Sequence, residues 1–140
     1  MRDFILLYIN GQRHEVRGPE AGMMFADYLR YRRGLTGTKI VCAEGDCGAC
    51  SVLRLRPMPI ASQDIYEPMN SCIVTVAQLD GTSLVTVEAL ADSEQSAALS
   101  CVQQAMVQAN GSQCGFCTPG FVVALTGLVE RKLQKKESRK

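Results

Sequence analysis

Three cysteines lie within nine residues in Cys42-Ala43-Glu44-Gly45-Asp46-Cys47-Gly48-Ala49-Cys50, spaced C-x4-C-x2-C, and Cys72 follows after 21 further residues. Three close thiolates plus one remote are the ligand pattern of a plant-type [2Fe–2S] centre. The oxidised cluster with its four thiolates carries about −2 charge. No Lys or Arg lies between Cys42 and Cys50, so backbone N–H groups turned toward the sulfurs must supply the stabilising dipoles. Gly45 and Gly48 permit the positive φ and close approach that such a wrapped loop needs. The spacing predicts Cys42, Cys47, Cys50 and Cys72 as metal ligands, with Cys72 arriving from a neighbouring strand. A structural zinc site competes, because zinc favours paired cysteines at both ends. Cys47 and Cys50 with Cys114 and Cys117 make such a set, but it leaves Cys42 and Cys72 without a role.

Bulk properties narrow the partners. The 140 residues are 46% hydrophobic and 21% charged with a formal net charge of +1, a balance that gives no long-range field for nucleic acid or an acidic membrane. No apolar stretch approaches the length of a membrane span, and Met1-Arg2-Asp3 opens no secretory pattern. A cytoplasmic protein is expected, and there seven cysteines serve metal or redox chemistry sooner than disulfides. No nucleophile–base set, P-loop or dinucleotide fingerprint occurs. His14 is the single histidine and is expected to be a solvated residue on a polar strand.

The elements that must carry the cysteines follow from periodicity. Phe4 to Ile9 and Gln12 to Arg17 read as a hairpin across Asn10-Gly11, the dipeptide of a type I′ turn. Residues 23–33 read as a helix with Phe25, Tyr28 and Leu29 on one face, closed by Gly34. Residues 42–50 are expected to be irregular and residues 51–56 a period-two strand. Pro57, Pro59 and Pro68 are expected to bound a loop before a strand over 72–76, and Asp80-Gly81 a turn before a strand over 84–87. This pattern suggests a small α+β domain with a mixed sheet. Ala98, Val102, Ala105, Met106 and Ala109 recur at helical spacing. Thr118-Pro119 signals another helix start, with Thr118 as cap. Phe121 to Leu128 are apolar nearly all round, which predicts burial on several sides, with the 98–109 helix as the one clear partner. The residues from 131 onward, six Lys or Arg against one Glu, read as a solvated helix end.

Leu35-Thr36-Gly37-Thr38-Lys39 running into the first cysteine loop, Asn70-Ser71-Cys72, and Gly111-Ser112-Gln113-Cys114-Gly115-Phe116-Cys117-Thr118-Pro119-Gly120-Phe121 together resemble the iron–sulfur part of molybdenum hydroxylases of the xanthine dehydrogenase type. The resemblance implies a β-grasp, ferredoxin-like domain over residues 1–90 and, over residues 91–140, the first half of a helical domain that binds another [2Fe–2S] cluster. It implies that Cys114 and Cys117 ligate that second cluster and that Gln113 lies near a molybdenum–pterin cofactor. It further implies an electron route from molybdenum through the two clusters to FAD, with the molybdenum and FAD sites on partner subunits or regions.

The family completes its second cluster with a Cys-Arg-Cys-Thr-Gly-Tyr segment that these residues lack. Cys101 is the one cysteine left, expected to be a small buried hydrophobe. Three explanations stand: a longer natural polypeptide, a separate chain that brings the other ligands, or a one-cluster relative. Val41, Ala89 and Ser100-Cys101 also depart from the family's Gly, Gly and His-Pro. The expected function is electron transfer within an oxidoreductase, with no substrate chemistry in this chain; a free-standing ferredoxin is the alternative.

Overall fold

The computed structural model describes residues 2–56, 65–91 and 99–137. The expected loop at Pro57 and Pro59, and Ala98 of the expected helix, lie outside these residues. The described residues form a five-stranded sheet in the order β2-β1-β5-β3-β4, with β1 over Ile5–Ile9, β2 over Gln12–Val16, β3 over Ser51–Arg56, β4 over Ile65–Asn70 and β5 over Thr82–Val85. Strand β1 pairs antiparallel with β2 and parallel with β5, and β3 pairs antiparallel with both β5 and β4. This is the mixed β-grasp sheet expected from the sequence.

The hairpin turns where Asn10 (φ 52°) and Gly11 (φ 76°) both take positive φ, as a type I′ turn requires. The 23–33 segment is only partly regular. Helix α1 spans Phe25–Asp27 and widens into a π-turn over Tyr28–Arg32, with the Arg33 amide bonded back to the Tyr28 carbonyl at 3.2 Å. Met23 and Met24 lie outside the helix because Met24 bridges to Thr75 instead. Phe25, Tyr28 and Leu29 are fully buried against Leu7, Ile9, Val16, Val52, Val76, Leu79 and Leu84, the main core.

Two strand expectations are corrected. Pro68 lies inside β4, opposite Leu53; β4 is the edge of the described sheet, where a residue without an N–H is tolerated. Residues 72–76 form no strand: a tight turn over Ser71–Ile73 and another over Val76–Leu79 carry the chain round. The second turn is stapled by a capping box between Thr75 and Gln78.

Helix α2 runs over Cys101–Gln108, capped by Ser100, whose hydroxyl accepts from the Gln103 amide while the Gln103 side chain accepts from the Ser100 amide. Helix α3 runs over Thr118–Glu137. It starts one residue earlier than expected, because the Cys117 carbonyl already accepts from the Phe121 amide at 3.1 Å; the Thr118 hydroxyl turns to Ser112 at 2.7 Å instead. Phe121 and Leu128 are exposed whereas Val122, Val123, Thr126 and Gly127 are buried, so α3 buries one face rather than its whole circumference.

That face lies mainly on β3 and β4 as well as α2, a partner the periodicity did not reveal. A Cβ on Gly127 would stand 3.0 Å from Leu53 Cδ2 and 3.2 Å from the Pro68 ring. Strand β3 is therefore covered on both sides, with Val52 in the main core and Leu53 under α3. This is why Ser51, Val52 and Leu53 are all buried instead of alternating. Burying a leucine fully is worth about 1.5–3 kcal/mol, so Leu53 is a substantial part of what fastens α3 to the sheet.

Candidate metal centre

Residues 42–50 are irregular, as expected. The loop closes through three positive-φ residues, Ala43 (56°), Gly45 (83°) and Gly48 (73°); Ala43 was not foreseen. Gly45 is fixed twice over, because a Cβ there would also lie 2.6 Å from Ile73 Cδ1. Side chains then fasten the loop to the start of β3 and the end of β4. The Asn70 amide donates to the Gly45 carbonyl, and the Ser51 hydroxyl donates to the Gly48 carbonyl at 2.7 Å. The Ser71 hydroxyl donates to the Cys50 carbonyl at 2.6 Å.

Upstream, Arg30 donates to the carbonyls of Thr36 and Thr38, each at 2.9 Å. Glu88 accepts from the Gly37 amide at 2.7 Å. The run leading into Cys42 is thus held from two sides. Asn70, Ser71, Ser51, Arg30 and Glu88 were not singled out as site residues. The signal for three of them was adjacency: Ser51 follows a cysteine directly, and Asn70-Ser71 precedes one.

The four first-group cysteines come together as two pairs. The Cys47 amide donates to Cys42 Sγ at 3.5 Å. Cys50 and Cys72 are free thiols buried side by side with Ala26. The Cys42 thiol is brought down to about 6, first by the Cys47 backbone N–H, then by that of Glu44, the Cys47 thiol and the Asp46 N–H. These are the inward-turned amides that the loop's lack of cations requires. Cys72 goes the other way, pushed up to about 11 by burial, then by Cys50 beside it, against a favourable Gly45 N–H. Buried paired thiols resist ionisation unless a cation shares the charge.

This donor set fits a binuclear iron–sulfur group, which takes two thiolates on each iron. Among the described residues, no three His, Cys, Asp or Glu side chains close on a point for a single metal ion. In the competing zinc set Cys50 would have to face Cys114 and Cys117; it is buried against Cys72 while they are exposed.

The second group is arranged differently. Cys114 and Cys117 flank Gly115 (φ 83°) just before α3, both exposed, and Gln113 is exposed beside them. They adjoin a groove of about 490 Å³ between α2 and α3, lined by Val107, Gly115, Pro119 and Val122 among others. Cys101 is exposed at the first turn of α2, which corrects the expectation of a buried hydrophobe: Val102, its neighbour, takes the buried position. His14 is half-buried rather than solvated, and burial and then Arg33 lower its pKa. No helix among the described residues is long and apolar enough to cross a membrane.

Comparison with known proteins matches the same two stretches. The family described as 2Fe-2S iron-sulfur cluster binding domain matches residues 7–77, and that described as [2Fe-2S] binding domain matches residues 86–140. Xanthine dehydrogenase of Blastobotrys adeninivorans is 38% identical over 131 residues, 89% of this chain and 9% of that protein. Human aldehyde oxidase is 35% identical over 125 residues, again 89% of this chain and 9% of that protein. The chain thus spans about a tenth of the length of the curated relatives it matches. Among solved structures, quinoline 2-oxidoreductase from Pseudomonas putida 86 aligns over 86% of this chain and 65% of that chain, at 35% identity and a TM-score of 0.67. Aldehyde oxidoreductase from Desulfovibrio gigas aligns over 91% of this chain and 13% of that chain, at 32% identity and a TM-score of 0.73.

Proposed function

The chain belongs to the 2Fe-2S iron–sulfur cluster binding domain family, and from that membership we propose that it is the electron-transfer component of a xanthine dehydrogenase-like molybdenum hydroxylase. The observation that carries this most directly is the pairing of Cys42 with Cys47 and of Cys50 with Cys72 around a loop whose amides turn toward sulfur. Such a cluster, when bound, stores and releases single electrons.

The chain's own residues do the rest. Four thiols form the ligand set, and the N–H groups of Cys47, Glu44, Asp46 and Gly45 offset the charge on Cys42 and Cys72. Gly45 and Gly48 let the backbone close round the site. Cys114 and Cys117 form half of a second ligand set, with Gln113 beside a pterin. Cys101 alone cannot complete that set, so the other two thiolates come from a partner polypeptide or a further region. In this scheme the residues fall into a ferredoxin-like unit and a helical unit. The Cys114 side would face the region that holds molybdenum and the Cys42 side the region that holds FAD, in a cytoplasmic enzyme.

The alternative is a free-standing ferredoxin. Against it stand the near-neutral charge and a helix of 20 residues laid on the sheet, neither of which a diffusing carrier needs. Purification of the protein from its native source decides between the two. Co-elution of iron with molybdenum and flavin supports the hydroxylase component. Iron eluting in a small protein without either establishes the carrier.

A further inference from the structure

Gly120 brings the helix that follows the second cysteine group against the loop that holds the first. It sits in the first turn of α3, three residues after Cys117, and is buried. Its Cα faces the backbone of Gly48 and Ala49, the two residues between Cys47 and Cys50. A Cβ at 120 would run into the Gly48 carbonyl oxygen and would lie 2.8 Å from Ala49 Cα and 2.9 Å from Ala49 O. These are backbone atoms, which cannot swing aside as a side-chain tip can. Gly127, two turns along the same helix, has a different environment: its neighbours are the tips of Leu53 and the ring of Pro68 at 3.0–3.2 Å. Gly120 has no positive φ to explain it, so the demand at this position is for closeness alone.

We propose that Gly120 is a positioning residue whose missing side chain seats the start of α3 on the Gly48–Ala49 backbone, and so fixes Cys114 and Cys117 at a short, constant distance from the first cluster site. Three residues of chain span at most about 11 Å, so Cys117 is tethered close to the loop wherever α3 sits on it. Ala49 is buried, and the Ser51 hydroxyl bonds the same Gly48 carbonyl, so the loop cannot retreat from an added methyl without moving Cys47 or Cys50. Electron tunnelling falls steeply with distance, and a contact of this kind holds the gap between two centres constant. The inference rests on the proposed electron-transfer function and adds a specific residue to it.

The test uses the full chain with Cys101 and Cys114 replaced by Ser, loaded with iron and sulfide, and carrying on Cys117 a gadolinium(III) chelate, a spin that reductants leave intact. Chemical reduction makes the first cluster paramagnetic, and a nearby gadolinium ion broadens the cluster's electron paramagnetic resonance signal. The expected result is strong broadening in the glycine form. Gly120→Ala should lose much of that broadening or change the cluster's own electron paramagnetic resonance signature, at unchanged iron content. Gly127→Ala should leave both unchanged whatever it does to Tm.

Gly120→Ala that shifts only Tm, with both spectra as in the glycine form, overturns the proposal. Should that variant fail to fold, the glycine form still decides: no broadening at Cys117 with iron fully bound overturns the positioning role alone. A native chain that binds no iron overturns the functional reading and this inference with it.

Discussion

The side-chain amide of Asn70, the last residue of β4, donates to the carbonyl oxygen of Gly45 at the turn of the cysteine loop. One edge strand thereby sets the position of the loop and, two residues on, of Cys72. Replacing Asn70 by Ala removes a bond worth about 1 kcal/mol net and leaves every thiol in place. The expected outcome is a chain that still takes up iron but loses its visible absorbance to a chelator severalfold faster. Stopped-flow or manual chelation traces on the two forms check this.

Gly45 is constrained by φ and by Ile73 together, and the two causes are separable. Gly45→Ala is expected to abolish or strongly reduce iron incorporation. Adding Ile73→Ala removes the collision but leaves the positive φ, so incorporation should recover in part. Iron per chain after identical reconstitution of the single and double variants measures the split.

Much of this site is local in sequence, and much of the fold is not. The C-x4-C-x2-C spacing, the Asn10-Gly11 turn and the glycine demand at 45 and 48 are short-range facts, so residue types alone expose them. Pro68 in β4 was not legible, because its tolerance depends on the strand being an edge, which is a property of the sheet. The seat of α3 on β3 and β4 was hidden for a related reason. The close approach of Gly120 to Ala49 and of Gly127 to Leu53 joins residues about 70 positions apart, which no local pattern exposes. Cys101 was misplaced because a helix of eight residues has too few turns for periodicity to fix its buried face.

Asp80 accepts from the Leu6 amide at 2.8 Å and pairs with Arg2, bracing the chain between the Val76–Leu79 turn and β5 against β1. The Leu6 N–H first, and Arg2 with it, hold its carboxyl below the usual carboxylate range despite opposing desolvation. A depressed folded pKa means stability that is present above the ordinary aspartate value and lost as pH falls through the folded one. Asp80→Asn should therefore lower Tm at neutral pH, and the gap between variant and parent should close in acid. Melting curves from neutral pH down to acid check the sign.

Exposure and iron together sort the seven cysteines into those a reagent can reach and those it cannot. Cys47, Cys101, Cys114 and Cys117 are exposed, Cys42 is half-buried, and Cys50 and Cys72 are buried, so bound iron is what shields Cys42 and Cys47. Brief iodoacetamide treatment of the iron-loaded chain should label Cys101, Cys114 and Cys117 and spare Cys42, Cys47, Cys50 and Cys72. Peptide mass spectrometry reads the result. Labelling of Cys50 or Cys72 ahead of Cys114 would contradict the assignment of ligands.

The central claim is that Cys42, Cys47, Cys50 and Cys72 complete one [2Fe–2S] centre and that the remaining cysteines do not complete a second. Iron and acid-labile sulfide analysis of the anaerobically reconstituted chain measures this directly. The expected result is about two irons and two sulfides per chain, lost in Cys47→Ser and retained in Cys101→Ser. Four irons per chain, or zinc in place of iron with no visible absorbance, would contradict it.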